Sequence, residues 1–210
     1  MTARSAIPRS EQIVESWLAA FIGQLQPHDV AEPLREAALA GNLGEWTGLL
    51  TAAVVASCEQ LGWPAAAKGH KLDLLPRAGQ EYLGIDVMAF PPTSEDDAPG
   101  AHWPFPLAVF ELENAKGKEA YSLWKVICVR AELRVVFAYR NDWEQVKQLV
   151  RSLKEDVIDG FTIEERMTLD DRTLLVTGSR GEGETFPYSY FKVWRLNPNV
   201  GDFERFTGWG

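Results

Sequence analysis

The sequence predicts a single domain of mixed α/β class, and three observations support this. Apolar residues recur at helical spacing through the first 63 residues, whereas between residues 70 and 113 they alternate with a period of two. Over 107–139 an apolar run, an amphipathic run and a second apolar run follow one another, which is typical of a strand–helix–strand unit. A chain of 210 residues is also long enough to bury one sizeable core.

The amino-terminal third of the chain predicts three helices. An apolar stripe with i, i+3 and i+4 spacing predicts a first helix that ends near residue 26, before Pro27. A shorter helix is expected to run to residue 40. The third, strongly apolar, is expected over 43–61.

Three strands are predicted next, after a linker at 64–70. The two-residue alternation places them at 70–76, 81–90 and 107–113, and we expect them to form an antiparallel meander. The segment 91–106 is rich in proline, glycine and acidic residues, so it predicts a loop between the second and third strands.

A helix over 118–132 and a strand over 133–139 follow. The strand is a continuous apolar run of the kind found in buried parallel pairs, so we expect it to lie parallel to 107–113 through a right-handed crossover. The side chains expected on the buried face of the helix are Tyr121, Trp124, Ile127, Cys128 and Ala131.

The rest of the chain predicts one more helix and a hairpin. Asp142 is placed to cap an amphipathic helix, and strands near 172–177 and 188–196 are expected to pair through the glycine-rich segment between them. We therefore divide the single domain into a helical extension (1–42), a core (43–140) and a carboxyl-terminal helix and hairpin (141–210).

Composition narrows the possible environments and partners. No window approaches the ~18 apolar residues of a membrane helix, and two cysteines far apart predict neither a disulfide framework nor a zinc site, so we expect a cytoplasmic protein without a membrane partner. A net charge of −9 argues against a constitutive high-affinity nucleic-acid binder. It leaves open an enzyme that gathers its cations on one side.

Three carboxylates stand out because they fall in apolar strands. Glu111 and Glu113 share one face of the strand 107–113, and Asp86 lies in the strand 81–90. Carboxylates in such positions repel one another and lose hydration unless a cation lies between them. An aspartate and a glutamate on neighbouring strands suit Mg²⁺, which binds one or two carboxylates together with waters.

These residues resemble the metal-binding motif of the restriction-endonuclease-like, PD-(D/E)XK, nucleases. The core of that family has the order α-β-β-β-α-β, which matches the elements predicted over 43–139. Asp86 matches the motif aspartate and Glu111 the first acid of the second half-motif, whereas Glu113 stands where the family usually has lysine.

The resemblance implies a metal-dependent nuclease with Mg²⁺ or Mn²⁺ as cofactor. Asp86 and Glu111 would hold the metal, with the Leu112 carbonyl and a helix glutamate, Glu45 or Glu59, as further ligands. The catalytic residues expected are Glu113, Lys116 and Lys118. The implied substrate is nucleic acid, and DNA is expected rather than RNA. The residues themselves do not distinguish the two.

Two alternatives stay open. The domain could be a nuclease fold without catalysis that serves as a binding or structural subunit of a larger complex. It could also be an acidic α/β interaction module whose amino-terminal helices contact a protein partner. The sequence does not indicate an oligomeric state.

Overall fold

The computed structural model describes residues 10–92, 100 and 102–207, and within them the chain forms six α-helices and one seven-stranded sheet. The helices are α1 (Ser10–Leu25), α2 (His28–Ala40), α3 (Leu43–Gln60), α4 (Glu119–Ile127), α5 (Trp143–Asp156) and α6 (Ile163–Met167). The strands are β1 (Ala65–Ala67), β2 (Val87–Ala89), β3 (Ala108–Leu112), β4 (Leu133–Arg140), β5 (Thr173–Ser179), β6 (Phe191–Asn197) and β7 (Asp202–Phe206). The predicted mixed α/β class is confirmed.

The strands lie in the sheet in the order of the chain. β1, β2 and β3 form an antiparallel meander, as predicted for the first three strands, although its first strand is not the segment 70–76. β3, β4 and β5 are parallel, with α4 and α5 in the two connections. The predicted parallel pairing of 107–113 with 133–139 is confirmed. The carboxyl ends of three parallel strands therefore meet at one edge of the sheet, where α/β proteins commonly bind ligands.

Helices cover both faces of the sheet. α1, α2 and α3 pack on one face in an aromatic core in which the Trp17 ring lies 5.3 Å from Phe21 and 5.1 Å from Phe110. α4 and α5 pack on the other face. The segment interpreted as an extension thus contributes α1 to the main core. No helix in the described part of the chain is both long and apolar enough to cross a membrane.

The first two strands differ from their predicted positions. β1 is the alanine run Ala65–Ala67, which the sequence analysis assigned to the linker, and residues 70–76 form only isolated bridges. Alanine has a low strand propensity, so nothing local marks β1; it is a strand because it pairs with β2 beneath α3. β2 is shorter than predicted, because Tyr82–Gly84 forms a 3₁₀ turn.

The buried face of α4 was predicted wrongly. Tyr121 is 61% exposed and Trp124 is 49% exposed, whereas the buried side chains include Leu123 and Val126. The helix also ends at Ile127, short of residue 132. The same buried side of α4 carries Glu119 and Lys125, which form two ion pairs with the sheet that are described below.

The carboxyl-terminal third follows the prediction with one addition. Asp142 caps α5 by accepting a hydrogen bond from the Gln145 amide at 2.9 Å, and β5 and β6 pair antiparallel. Their connection contains a 3₁₀ turn, Arg180–Thr185. β7, which the sequence analysis missed, adds an edge strand next to β6. Of the predicted loop 91–106, residues 93–99 and 101 lie outside the described residues.

Candidate functional site

The pairing of β2 with β3 brings the two motif carboxylates to one place. Val87 lies opposite Phe110 in the antiparallel register. Asp86, which directly precedes β2, is thereby carried to the carboxyl end of β3, where Glu111 and Leu112 lie. Asp86 is at the start of its strand, not inside it as predicted, and this leaves its backbone amide free to bond a side chain.

Asp86 and Glu111 are joined by hydrogen bonds. The Asp86 amide donates to Glu111 Oε1 at 3.2 Å, and the Leu112 amide donates to Asp86 Oδ2 at 2.8 Å. Each carboxylate is therefore held by the backbone of the opposite strand. Leu112 takes part through its amide; its carbonyl as a metal ligand stays a prediction.

Lys125 of α4 completes this cluster, and the sequence analysis did not single it out as a site residue. Its Nζ lies 2.7 Å from Glu111 Oε2 and donates to the Gly84 carbonyl at 2.7 Å. Leu83 and Gly84 both have left-handed backbone (φ 56° and 66°), so the chain turns sharply at this carbonyl. The ammonium thus connects the turn before β2 with β3.

A pattern in the sequence could have identified Lys125. Glu119, Ser122 and Lys125 recur every three residues on α4, so they lie along one side of the helix, the side that meets the sheet. A polar stripe on an otherwise amphipathic helix indicates contacts with other polar groups when the helix covers a sheet. With Tyr121 and Trp124 predicted on the buried face, these polar residues were expected to be exposed to solvent.

Burial perturbs both carboxylates. The pKa of Glu111 is raised to about 7: burial is the largest cause, the hydrogen bond from Lys125 opposes it, and the nearby charge of Asp86 adds to it. Burial also raises the pKa of Asp86, opposed by the Leu112 amide and by Lys125. Two carboxylates and one ammonium leave this cluster with a net negative charge when both acids are ionised.

Glu113 lies beside the cluster and is engaged by the segment that follows it. Its Oε1 accepts from the Ala115 amide at 2.8 Å and its Oε2 accepts from the Ser122 hydroxyl at 3.2 Å. Its charge contributes to the raised pKa of Asp86. Glu113 therefore connects the β3–α4 turn to α4 by hydrogen bonds. It is also near enough to Asp86 for the two charges to interact.

The other predicted site residues lie apart from this cluster. Lys116 and Lys118 are exposed in the β3–α4 turn, and neither makes an ion pair with a described residue. Glu45 is exposed at the start of α3, where its Oε2 accepts from Asn42 at 2.8 Å, and Glu59 is exposed near the end of that helix. Their roles at a metal or in catalysis stay predictions.

A second buried ion pair lies at the same edge of the sheet. Arg140, the last residue of β4, places Nη2 2.6 Å from Glu119 Oε1, and the Gly117 amide donates to Glu119 Oε2 at 2.7 Å. The Glu119 side chain is only 4% exposed. This pair fixes the start of α4 against β4, as Lys125 fixes its last turn against β3.

Over residues 10–92, 100 and 102–207, no group of three or more His, Cys, Asp or Glu side chains is placed to hold a metal ion. Cys58 is buried in the apolar core, and burial raises its thiol pKa. A site here would rest on Asp86, Glu111 and water.

Comparison with known proteins finds no matching family model, curated protein or solved structure. The function is therefore inferred from the residues of the site.

Proposed function

We propose that this protein is a Mg²⁺-dependent phosphodiesterase that acts on nucleic acid. The observation that carries the proposal is the interlocked pair of Asp86 and Glu111, held by backbone amides of adjacent strands and contacted by Lys125. The order of the elements from α3 to β4 adds support, because it is the order of the restriction-endonuclease-like core that the motif resembles.

The donor set suits a hard divalent cation. Mg²⁺ commonly binds through one or two carboxylates and keeps several waters, so two acids are sufficient. Burial raises the pKa of both carboxylates although Lys125 opposes the shift, and a bound cation would favour their ionised forms. When bound, the ion would lower the pKa of a coordinated water and neutralise charge on the phosphate.

The protein residues around the ion would have separate roles. Asp86 and Glu111 would hold it, and the Lys125 ammonium would supply next to Glu111 the positive charge that the family usually takes from the motif lysine. Glu113, which replaces that lysine, holds the β3–α4 turn and would orient the attacking water. An ammonium near the scissile phosphate stabilises developing negative charge.

A second function is supported by the same contacts. Lys125 already pairs with Glu111, and the backbone amides of Asp86 and Leu112 donate hydrogen bonds to the two carboxylates. The cluster can therefore connect β2, β3 and α4 without a metal. On this basis the domain would be a noncatalytic binding subunit. A protein partner would meet the outward faces of the amino-terminal helices, because the apolar side of α1 is buried.

A cleavage assay distinguishes the two functions. We expect purified protein with Mg²⁺ or Mn²⁺ to cut single- or double-stranded DNA or RNA, and Asp86→Asn or Glu111→Gln to lower the rate by about 10²-fold or more. Lys125→Met is expected to lower the rate without abolishing metal binding. Glu155→Gln, an exposed carboxylate of α5, is the matched control and should leave the rate unchanged.

Two outcomes would contradict the enzymatic proposal. One is the absence of cleavage of every substrate with either ion. The other is cleavage that survives in Asp86→Asn and Glu111→Gln alike, since it would come from a contaminant or from another site.

A further inference from the structure

A small cleft opens at the carboxyl ends of the parallel strands β3, β4 and β5, on the side of β3 away from β2. Its volume is about 220 Å³. The polar residues that line it come from the β3–α4 turn, the end of β4, the start of α5 and the end of β5: Asn114, Lys116, Arg140, Asn141, Gln145 and Arg180. The cleft is thus built by the loops that bind ligands in many parallel sheets.

The charge of this cleft is opposite to that of the whole protein. Among the residues that the structure describes, Lys116, Arg140 and Arg180 line it and no carboxylate does, whereas the chain carries a net charge of −9. Lys116 and Arg180 make no ion pair within the described residues, while Arg140 is fixed by Glu119. Two uncompensated cations beside a positioned arginine favour an anionic ligand.

The side chains that surround the cleft are held in place by their neighbours. The Asn114 amide donates to the Thr47 hydroxyl at 2.6 Å, and the Gln145 amide donates to Asp142 at 2.7 Å. The Arg180 guanidinium lies against Gly41, where an added Cβ would come within 3.4 Å of it. The cleft is therefore largely formed without a ligand, as binding sites usually are.

The cleft adjoins the carboxylate cluster. Asn114 directly follows Glu113, and strands in a sheet lie about 4.8 Å apart, so β4 and β5 are roughly 10 to 15 Å from the β2 position that Asp86 precedes. That distance corresponds to a few nucleotides of one strand, so a single strand bound at the metal site would also reach the cleft.

We propose that this cleft binds a backbone phosphate of the nucleic acid strand whose scissile phosphate lies at Asp86 and Glu111. The inference rests on the proposed function for its choice of ligand. Lys116 and Arg180 contact the phosphate, and Arg140 orients it through its pair with Glu119. In this proposal Lys116 binds the phosphate, whereas the sequence analysis predicted a catalytic role for it.

The test is oligonucleotide binding without metal, which separates the cleft from catalysis. Fluorescence anisotropy in EDTA with a short labelled single-stranded DNA, and its RNA counterpart, would compare wild type with Lys116→Gln, Arg180→Gln and the double variant. We expect each single change to weaken binding about tenfold, the scale of one charge-assisted hydrogen bond. Since the two cations contact one phosphate, the double variant should lower the slope of log K against log salt by roughly 0.7 on the single-stranded probe.

Lys68→Gln and Arg151→Gln are the matched controls, since both residues are exposed and neither lines the cleft. They remove the same charge and are expected to change binding less than about twofold. Inorganic phosphate should compete with the oligonucleotide on wild type and not on the double variant. Thermal unfolding of each variant would verify that it is folded.

The proposal is overturned if the double variant binds as wild type does, if the controls weaken binding equally, or if wild type does not bind either oligonucleotide in EDTA. Failure of the proposed function would give a different experimental result. Binding that depends on Lys116 and Arg180 without any metal-dependent cleavage would leave the cleft as a nucleic-acid site on a noncatalytic protein.

Discussion

At the scale of single residues, Glu111 is the most informative side chain. It is buried on β3, bonded to the Asp86 amide and paired with Lys125, and its pKa is nevertheless raised to about 7. A structural ion pair usually lowers the pKa of its acid, so here burial outweighs the pairing. Such perturbed carboxylates are common at functional sites.

If Glu111 is a metal ligand as proposed, metal binding would depend on pH. Only the ionised carboxylate binds a metal ion, so protonation of Glu111 would compete with the metal as the pH falls through about 7. We expect the affinity for Mn²⁺ to fall about tenfold from pH 8 to pH 6, measured by calorimetry in buffers of different ionisation heat, with about one proton released at pH 6. An affinity that is constant over this range would contradict the account.

The sign of the stability effect follows from the same shift. The pKa of Glu111 is raised on folding, so protonation favours the native state: its contribution is fully present below the ordinary pKa of 4.5 and is lost as the pH rises through about 7. The metal-free protein is therefore destabilised by ionised Glu111 near neutral pH. Bound metal should reverse this loss.

Among the elements, α4 was predicted as a helix, but the side of it that is buried was predicted wrongly. The parallel pairing of β3 and β4 was predictable because both are continuous apolar runs joined by a helix. The orientation of α4 was predicted wrongly, because its buried side carries Glu119 and Lys125, whose partners Arg140 and Glu111 lie on the sheet. An amphipathic pattern gives no weight to polar residues that are buried in pairs.

The pair of Glu119 and Arg140 gives a stability prediction for this element. Glu119→Gln leaves the charge of a nearly buried arginine without its partner, and we expect it to lower the free energy of unfolding by about 3 kcal/mol in urea denaturation. The control is Glu144→Gln on α5, whose pair with Lys147 is exposed and should contribute less than about 0.5 kcal/mol. Equal effects of the two changes would mean that the buried pair does not hold α4.

At the scale of the whole molecule, the convergence of Asp86 and Glu111 could be predicted from the meander, because adjacent strands bring motif residues to one edge. The strands at the two edges of the sheet could not. β1 is three alanines, and β7 carries Phe203 and Phe206 without two-residue alternation, so both are strands only through pairing with a neighbour. The placement of Lys116, Arg140 and Arg180 around one cleft depends on the fold, since these residues meet only where three parallel strands end together.

The same arrangement explains how an acidic protein could act on nucleic acid. The cations of the cleft and the carboxylates of the candidate metal site lie at one edge of the sheet, so the net charge of −9 does not describe the surface that the substrate would meet. A bound divalent ion would reduce the negative charge of that edge further. The proposed function therefore requires that Asp86 and Glu111 bind the ion together.

Calorimetric titration of the protein with Mn²⁺ at pH 8 tests this claim most directly. We expect one site in wild type and in Glu155→Gln, and none in Asp86→Asn or Glu111→Gln, because each carboxylate supplies a ligand that the other cannot replace. One site of equal affinity in all four proteins, or no binding in wild type, would contradict it.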